Sequence, residues 1–160
     1  MTKQRASYGS RMGKVEPALP WEVDGAETSV VREEGEAAAL IYDLEERTAR
    51  FGEEVIEFLK RVPLGSRTNR LVDQLTGCGT SIGANYCEAD DAVSKREFVK
   101  IIGTCRKEAR ESKFFIRMLV KACPDLRDPA IPLWREAREL HLIFSRIRRT
   151  AQKNLAASEK

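Results

Sequence analysis

Four segments of the chain repeat apolar residues at alternating steps of four and three, and this spacing is the feature that most constrains the fold. The first segment carries Leu44, Thr48, Phe51, Val55, Phe58 and Val62. Such spacing places the apolar side chains on one face of a helix, because an α-helix has about 3.6 residues per turn. No segment alternates with the period of two that is typical of a half-buried strand. The sequence therefore predicts an all-α protein.

The repeats also predict the helix order and the domain organisation. We predict four helices, at about 43–62, 67–91, 95–122 and 129–155. The connections between them have at most about eight residues, and short connections favour antiparallel neighbours. This pattern predicts an antiparallel, up-down-up-down four-helix bundle over residues 41–157. Residues 1–40 lack a sustained repeat, and we interpret them as a mobile N-terminal extension.

Two helix starts carry recognisable capping residues. Ser94 and Glu97 fit a capping box, in which the Ser94 hydroxyl accepts a hydrogen bond from the Glu97 N–H and the Glu97 carboxylate accepts one from the Ser94 N–H. Val93 and Phe98 occupy the positions of a hydrophobic staple across that cap. Asp128, followed directly by a proline, predicts an N-cap for the fourth helix, with the proline in the first helical position.

Composition and the first residues exclude two classes of location. No window approaches the roughly 20 apolar residues that a spanning helix needs. The first 23 residues contain no apolar stretch of the length found in secretory signals. We therefore expect a cytoplasmic protein without a membrane partner.

The side chains that could carry chemistry do not form a recognisable centre. Four cysteines, at 78, 87, 105 and 123, lack the close pairs of a zinc site, and we expect free, mostly buried thiols. A di-metal site in a bundle uses Glu-x-x-His motifs. The chain's one histidine, His141, has Arg138 three positions before it. With no nucleophile elbow and no phosphate-binding glycine loop either, we expect no metal, no cofactor and no enzymatic activity.

Basic residues are concentrated outside the N-terminal segment. Residues 1–44 carry five basic and eight acidic side chains, whereas the remainder carries 23 and 17. Two helical lines hold much of this excess: Arg106, Arg110, Lys113 and Arg117 on the third helix, and Arg135, Arg138, Arg146, Arg149 and Lys153, with Arg148 beside them, on the fourth. Like charges at this spacing are mutually unfavourable. These residues are candidates for nucleic-acid binding. The alternative is a solvated face, or a face paired with the acidic first helix.

Small residues in the second helix and apolar residues in the third predict helix packing or self-association. Glycine costs about 1 kcal/mol relative to alanine inside a helix, so Gly79 and Gly83 indicate a close helix–helix approach. Asn85 and Glu88 share a face and are expected to make a polar contact to a neighbouring helix or subunit. At the end of the third helix, Phe114, Phe115 and Met118 make the surface apolar nearly all round, which favours burial in a homo-oligomer.

Five segments resemble a known family closely. They are YDLEERTARF at 42–51, QL at 74–75, TSIGANYCEA at 80–89, SKREF at 94–98 and CRKEARES at 105–112. Together these resemble the bacterial four helix bundle proteins first noticed as products of intervening sequences in large-subunit rRNA genes. The accessory variability proteins of diversity-generating retroelements belong to the same superfamily. The resemblance covers about residues 42–150.

The resemblance implies a ring-like homopentamer with a basic surface and no catalytic residues. Retroelement members bind a reverse transcriptase and nucleic acid, so RNA, DNA and a reverse transcriptase are the partners it suggests. Together with the basic lines, this predicts a non-enzymatic nucleic-acid-binding accessory protein, associated with a retroelement or with rRNA. The alternative is a protein–protein scaffold whose basic face is merely solvated.

Overall fold

The computed structural model describes residues 18–23 and 44–158, and within these ranges it contains helices and no strand. The α-helices are α1 (Pro20–Val23), α2 (Leu44–Leu59), α3 (Asn69–Asp90), α4 (Lys95–Ala122) and α5 (Arg127–Ser158), and a 3-10 turn (Pro124–Leu126) joins α4 to α5. The prediction of an all-α protein is thus confirmed for the described residues. Most of the predicted extension, residues 1–17 and 24–40, lies outside them.

The four long helices pack in chain order, α2 on α3, α3 on α4 and α4 on α5, and α5 also contacts α2. A β-carbon built on Gly79 would lie 2.9 Å from Val55 Cγ2, and one on Gly83 would lie 3.4 Å from Thr48 Oγ1. Residue numbers therefore rise along α2 while they fall along α3, so this pair is antiparallel. The two glycines bring the helices close together.

The predicted apolar seams form the core. Every residue of the first seam is buried, from Leu44 to Val62. The other three seams are buried over most of their length and half-buried at one end, as at Leu71, Phe98 and Ile147. Since burial of one large apolar side chain contributes about 1.5–3 kcal/mol, these seams are the main source of stability.

The start of α4 confirms the cap and corrects the staple. Ser94 Oγ accepts from the Glu97 N–H at 3.2 Å, as predicted, whereas the Glu97 carboxylate accepts from the Val93 N–H at 3.0 Å, one residue before the predicted Ser94 N–H. The predicted contact between Val93 and Phe98 is wrong, because Val93 is 94% exposed. Only four residues link α3 to α4, and the Asp91 N–H is still bonded to α3. Val93 consequently sits at the outside of a tight turn.

The prediction for the start of α5, at residue 129, is late by two residues. The helix begins at Arg127, directly after the 3-10 turn, so Asp128 lies inside the first turn instead of capping it. Its carboxylate there still favours the positive end of the helix dipole.

One part of the predicted extension is ordered. In α1 the Leu19 N–H donates to Glu22 Oε2 at 2.7 Å, and the Trp21 ring centroid lies 5.6 Å from that of Trp134 on α5. This helix could not be predicted from the sequence, because four residues are too few to show a period.

Candidate nucleic-acid interface

Two lines of side chains meet in the groove between α4 and α5. At one end Lys113 Nζ lies 5.3 Å from the centroid of the Trp134 ring. At the other end, a β-carbon built on Gly103 would lie 3.1 Å from Arg148 Nε. These contacts show that α4 and α5 are antiparallel, and helical spacing then defines the two lines. They are Gly103, Arg106, Arg110, Lys113 and Arg117 on α4, and Trp134, Arg138, His141, Ser145 and Arg148 on α5.

The middle of this groove is strongly cationic. The pKa of His141 lies below its ordinary value, first because burial disfavours the charged imidazole and then because Lys113, Arg106 and Arg110 repel a further positive charge. The three basic side chains therefore act on one point between the helices, although they are spread over two turns of α4.

Two arginines of the groove have buried donor groups without an acceptor among the described residues. The Nε atoms of Arg106 and Arg148 are both inaccessible and make no hydrogen bond there. Arg148 can lie this close to α4 because Gly103 has no side chain. An unsatisfied buried donor costs about 1–3 kcal/mol, so water or an anion in the groove would be bound favourably.

The groove gathers some of the sequence-predicted basic residues and leaves others outside. Arg106, Arg110, Lys113 and Arg117 lie on its α4 side, and Arg138, which also pairs with Glu139 at 3.7 Å, lies on its α5 side. The remaining candidates are exposed on the outer side of α5: Arg135, Arg146, Arg149 and Lys153.

The groove also contains residues that were absent from the sequence-based candidates. These are His141, Gly103 and Trp134, and they are joined by Arg148, which the sequence places only beside the basic line of the fourth helix. The α5 residues could have been found from a second repeat in the sequence, in which Trp134, His141 and Arg148 follow one another at steps of seven. That spacing places them on a single helix face, but only the packing of α5 on α4 shows what this face meets.

A second basic region lies on the outer side of α4. A shallow cleft of about 570 Å³ is lined by Gln74, Lys107, Arg110, Glu111, Phe114 and Phe115. Phe114 is 55% exposed, and its ring meets that of Phe115 edge-to-face at 5.2 Å. Phe115 packs against the core and Met118 is half-buried, so the exposed apolar surface here is smaller than the sequence suggested.

The predicted interface residues of α3 lie elsewhere. Gly79 and Gly83 pack against α2 of the same chain. Asn85 Nδ2 donates to the Ser81 carbonyl of its own helix at 2.7 Å, so this bond does not reach a neighbouring helix, and Glu88 is exposed. Outside the α2–α3 seam lies a shallow groove of about 320 Å³, lined mostly by small residues and by Ile56, which is 45% exposed.

The contact between α2 and α5 includes an ion pair. Its charges are the reverse of the predicted alternative, in which basic residues pair with the acidic first helix. Arg47 on the acidic helix binds Glu136 on the basic helix through two bonds, Nε to Oε1 at 2.6 Å and Nη2 to Oε2 at 3.0 Å. This pair anchors α2 to α5.

The cysteines are free thiols. Cys78 and Cys105 are buried, which raises their pKa values to about 11 and about 12, and Cys87 is exposed. Within residues 18–23 and 44–158, no three histidine, cysteine or carboxylate side chains are grouped as metal ligands. In the same residues no helix is long and apolar enough to span a membrane.

Comparison with known proteins gives a fold likeness. No protein-family model matches the chain, and no curated protein does. A crystal structure that does match is a protein of unknown function from the S23 ribosomal protein family of Bacteroides thetaiotaomicron. It is 22% identical, the match covers 64% of this chain and 95% of that one, and the TM-score is 0.59. At this identity the likeness shows a shared helical fold.

Proposed function

We propose that this protein is a non-enzymatic, self-associating four-helix bundle that binds nucleic acid through the groove between α4 and α5. The observation that carries the proposal is that Arg106, Arg110 and Lys113 line the α4 side of the groove and together lower the pKa of His141 on its α5 side. The contacts of α2 with α3, α3 with α4, α4 with α5 and α5 with α2 support closure of the four helices into a bundle.

The chemistry of the groove is suited to phosphate. Neighbouring cations repel one another, and an anion between them removes that repulsion and accepts charge-assisted hydrogen bonds from their accessible groups. Binding of this kind reads the charge of the backbone and little of the base sequence, and it weakens steeply as salt rises.

The resemblance to rRNA intervening-sequence proteins and retroelement accessory proteins extends the proposal. The fold likeness to a member of the S23 ribosomal protein family supports it. On this basis we propose a cytoplasmic, ring-like homopentamer that acts as an accessory protein for RNA or DNA, with a reverse transcriptase as a partner of the retroelement branch.

Charge reversal tests the groove. Arg110→Glu changes an exposed groove residue, and Arg135→Glu makes the same charge change at an exposed position outside it. Fluorescence anisotropy with a labelled oligonucleotide at low and physiological salt should show a larger loss of affinity for Arg110→Glu. Absence of wild-type binding at low salt refutes nucleic-acid binding, and equal losses in the two variants refute the assignment to the groove.

The single histidine gives a second, local measurement. A phosphate in the groove offsets the positive charges that lower the pKa of His141, so binding should raise that pKa. Proton NMR of the imidazole C2–H resonance, recorded against pH with and without an oligonucleotide, measures the change. A pKa that stays constant at saturating ligand places the nucleic acid elsewhere.

The second candidate function is a scaffold for another protein. The small-residue groove beside Ile56, flanked by Glu45 and Glu53, favours it because small side chains allow a helix to approach closely. Light scattering separates a monomer of 18.1 kDa from a pentamer of about 90 kDa. A monomer that binds no oligonucleotide but retains a protein in affinity purification would favour the scaffold.

A further inference from the structure

The outer face of α4 carries a row of exposed cations interrupted by one aromatic ring. The exposed residues in this row are Lys100, Lys107, Arg110, Phe114, Arg117 and Lys121. They recur at steps of seven, three and four, so they lie on one face and extend for about 32 Å along the helix. We call this set the outer row. It shares Arg110 and Arg117 with the groove, and its other members are exposed on the outer side of α4.

Phe114 is positioned as a platform within this row. Its ring is held against Phe115 in an edge-to-face contact at 5.2 Å and 80°, and 55% of the residue is exposed. Arg110 lies one turn before it and Arg117 one turn after it, about 10 Å apart along the helix axis. The cleft beside the ring is also lined by Gln74, Lys107 and Glu111, and Lys107 pairs with Glu111 at 3.5 Å, so the cation of the cleft that borders the ring is Arg110.

The charges around Phe114 restrict what can cover it. An apolar protein surface would bury Arg110 and Arg117 without acceptors, which is costly. Since Phe115 and Met118 are already half-buried in the chain, a subunit contact here would bury little apolar surface beyond the ring of Phe114. A ligand that is both anionic and flat satisfies the cations and the ring together.

We propose that the outer row binds single-stranded nucleic acid, with one base stacked on Phe114 and the flanking phosphates on Arg110 and Arg117. The inference rests on the proposed nucleic-acid binding and adds the class of substrate. Bases of a duplex are stacked on one another and offer no free face, whereas unpaired bases stack on aromatic side chains with little regard to sequence.

Three variants test stacking against the alternatives. Phe114→Leu keeps an apolar side chain and removes the aromatic face, Phe114→Trp keeps an aromatic face, and Ile56→Ala changes an apolar residue of similar exposure on α2. The probes are a labelled oligothymidine of about 15 nucleotides and a duplex of the same length. The mass of each variant is measured by light scattering, and its helix content by circular dichroism.

Phe114→Leu should weaken binding of the single strand between about 5-fold and about 150-fold, the range found when one stacked base loses its aromatic partner. Duplex binding should be unchanged in this variant, Phe114→Trp should bind like the wild type, and Ile56→Ala should have no effect on either probe. This pattern supports the proposal.

Other outcomes overturn it, and they separate its failure from that of the proposed function. Unchanged single-strand affinity in Phe114→Leu, or an equal loss for both probes, overturns stacking, while a raised pKa of His141 on binding would still support the groove. A fall in mass for Phe114→Leu shows that Phe114 is a subunit contact and overturns the proposal. A wild type that binds neither probe refutes nucleic-acid binding altogether.

Discussion

Substitution of glycine by alanine should have different effects at two positions of α3. A β-carbon built on Gly79 would lie 2.9 and 3.0 Å from the two Cγ atoms of Val55, closer than packed carbons can approach. A β-carbon on Gly77, two residues earlier, would meet nothing within 4 Å. Alanine should therefore stabilise the protein at position 77 and destabilise it, or leave it unchanged, at position 79.

The magnitudes follow from helix propensity and packing. At Gly77, alanine should stabilise the protein by about 1 kcal/mol, because it loses less conformational entropy in a helix than glycine does. At Gly79 the same gain is offset by overpacking of about 1–3 kcal/mol, since Val55 is fully buried and has no free space. The two variants should thus differ by about 1–3 kcal/mol, or roughly 2–12 °C in Tm.

Urea denaturation followed by circular dichroism measures both variants under one set of conditions. Adding Val55→Ala removes the two Cγ atoms, so it should destabilise the Gly79→Ala background less than the wild type, with a coupling energy of about 1 kcal/mol. If Gly79→Ala stabilises the protein as much as Gly77→Ala does, the close contact between α2 and α3 is refuted.

Three further predictions concern single groups. A thiol reagent should modify Cys87 in the folded protein, whereas the buried Cys105, whose pKa is raised to about 12, should react only after denaturation; peptide mass spectrometry identifies the labelled residue. Breaking the bond between Arg47 and Glu136 should destabilise the protein, and a double-mutant cycle to alanine should give a coupling of about 1 kcal/mol; a coupling of zero would contradict the observed ion pair. Because the pKa of His141 is lowered in the folded protein, the unfolded chain binds the imidazole proton more tightly. The free energy of unfolding should therefore fall as the pH drops from 6.5 towards the folded pKa, and His141 should have no such effect above pH 6.5. His141→Gln should flatten that part of the stability profile.

Helix order and core could be predicted because both depend on local spacing. The repeat from Leu44 to Val62 specifies which face is buried whatever the helix packs against. Val93 was misplaced because it lies in a short link, and Asp128 because it directly follows one; there the direction of the chain depends on the helices at both ends. Trp21 could not be placed, since its partner Trp134 is more than 100 residues away in sequence.

Only the α4 side of the candidate groove could be predicted from the sequence. The line of Arg106, Arg110 and Lys113 is visible in the sequence of α4, because its members share one helix face. What makes it a groove is the other helix, which contributes His141 and Arg148. No local pattern relates Arg148 to Gly103, and their contact depends on the register between α4 and α5.

The contact of Trp21 with Trp134 has an optical consequence. These are the two tryptophans of the chain, so its indole fluorescence arises from one place, where the four-residue helix α1 rests on α5. So short a helix can detach at little cost while the long helices persist. Emission should therefore begin to change at lower denaturant concentration than ellipticity at 222 nm does, and the separation of the two curves measures how firmly α1 is attached.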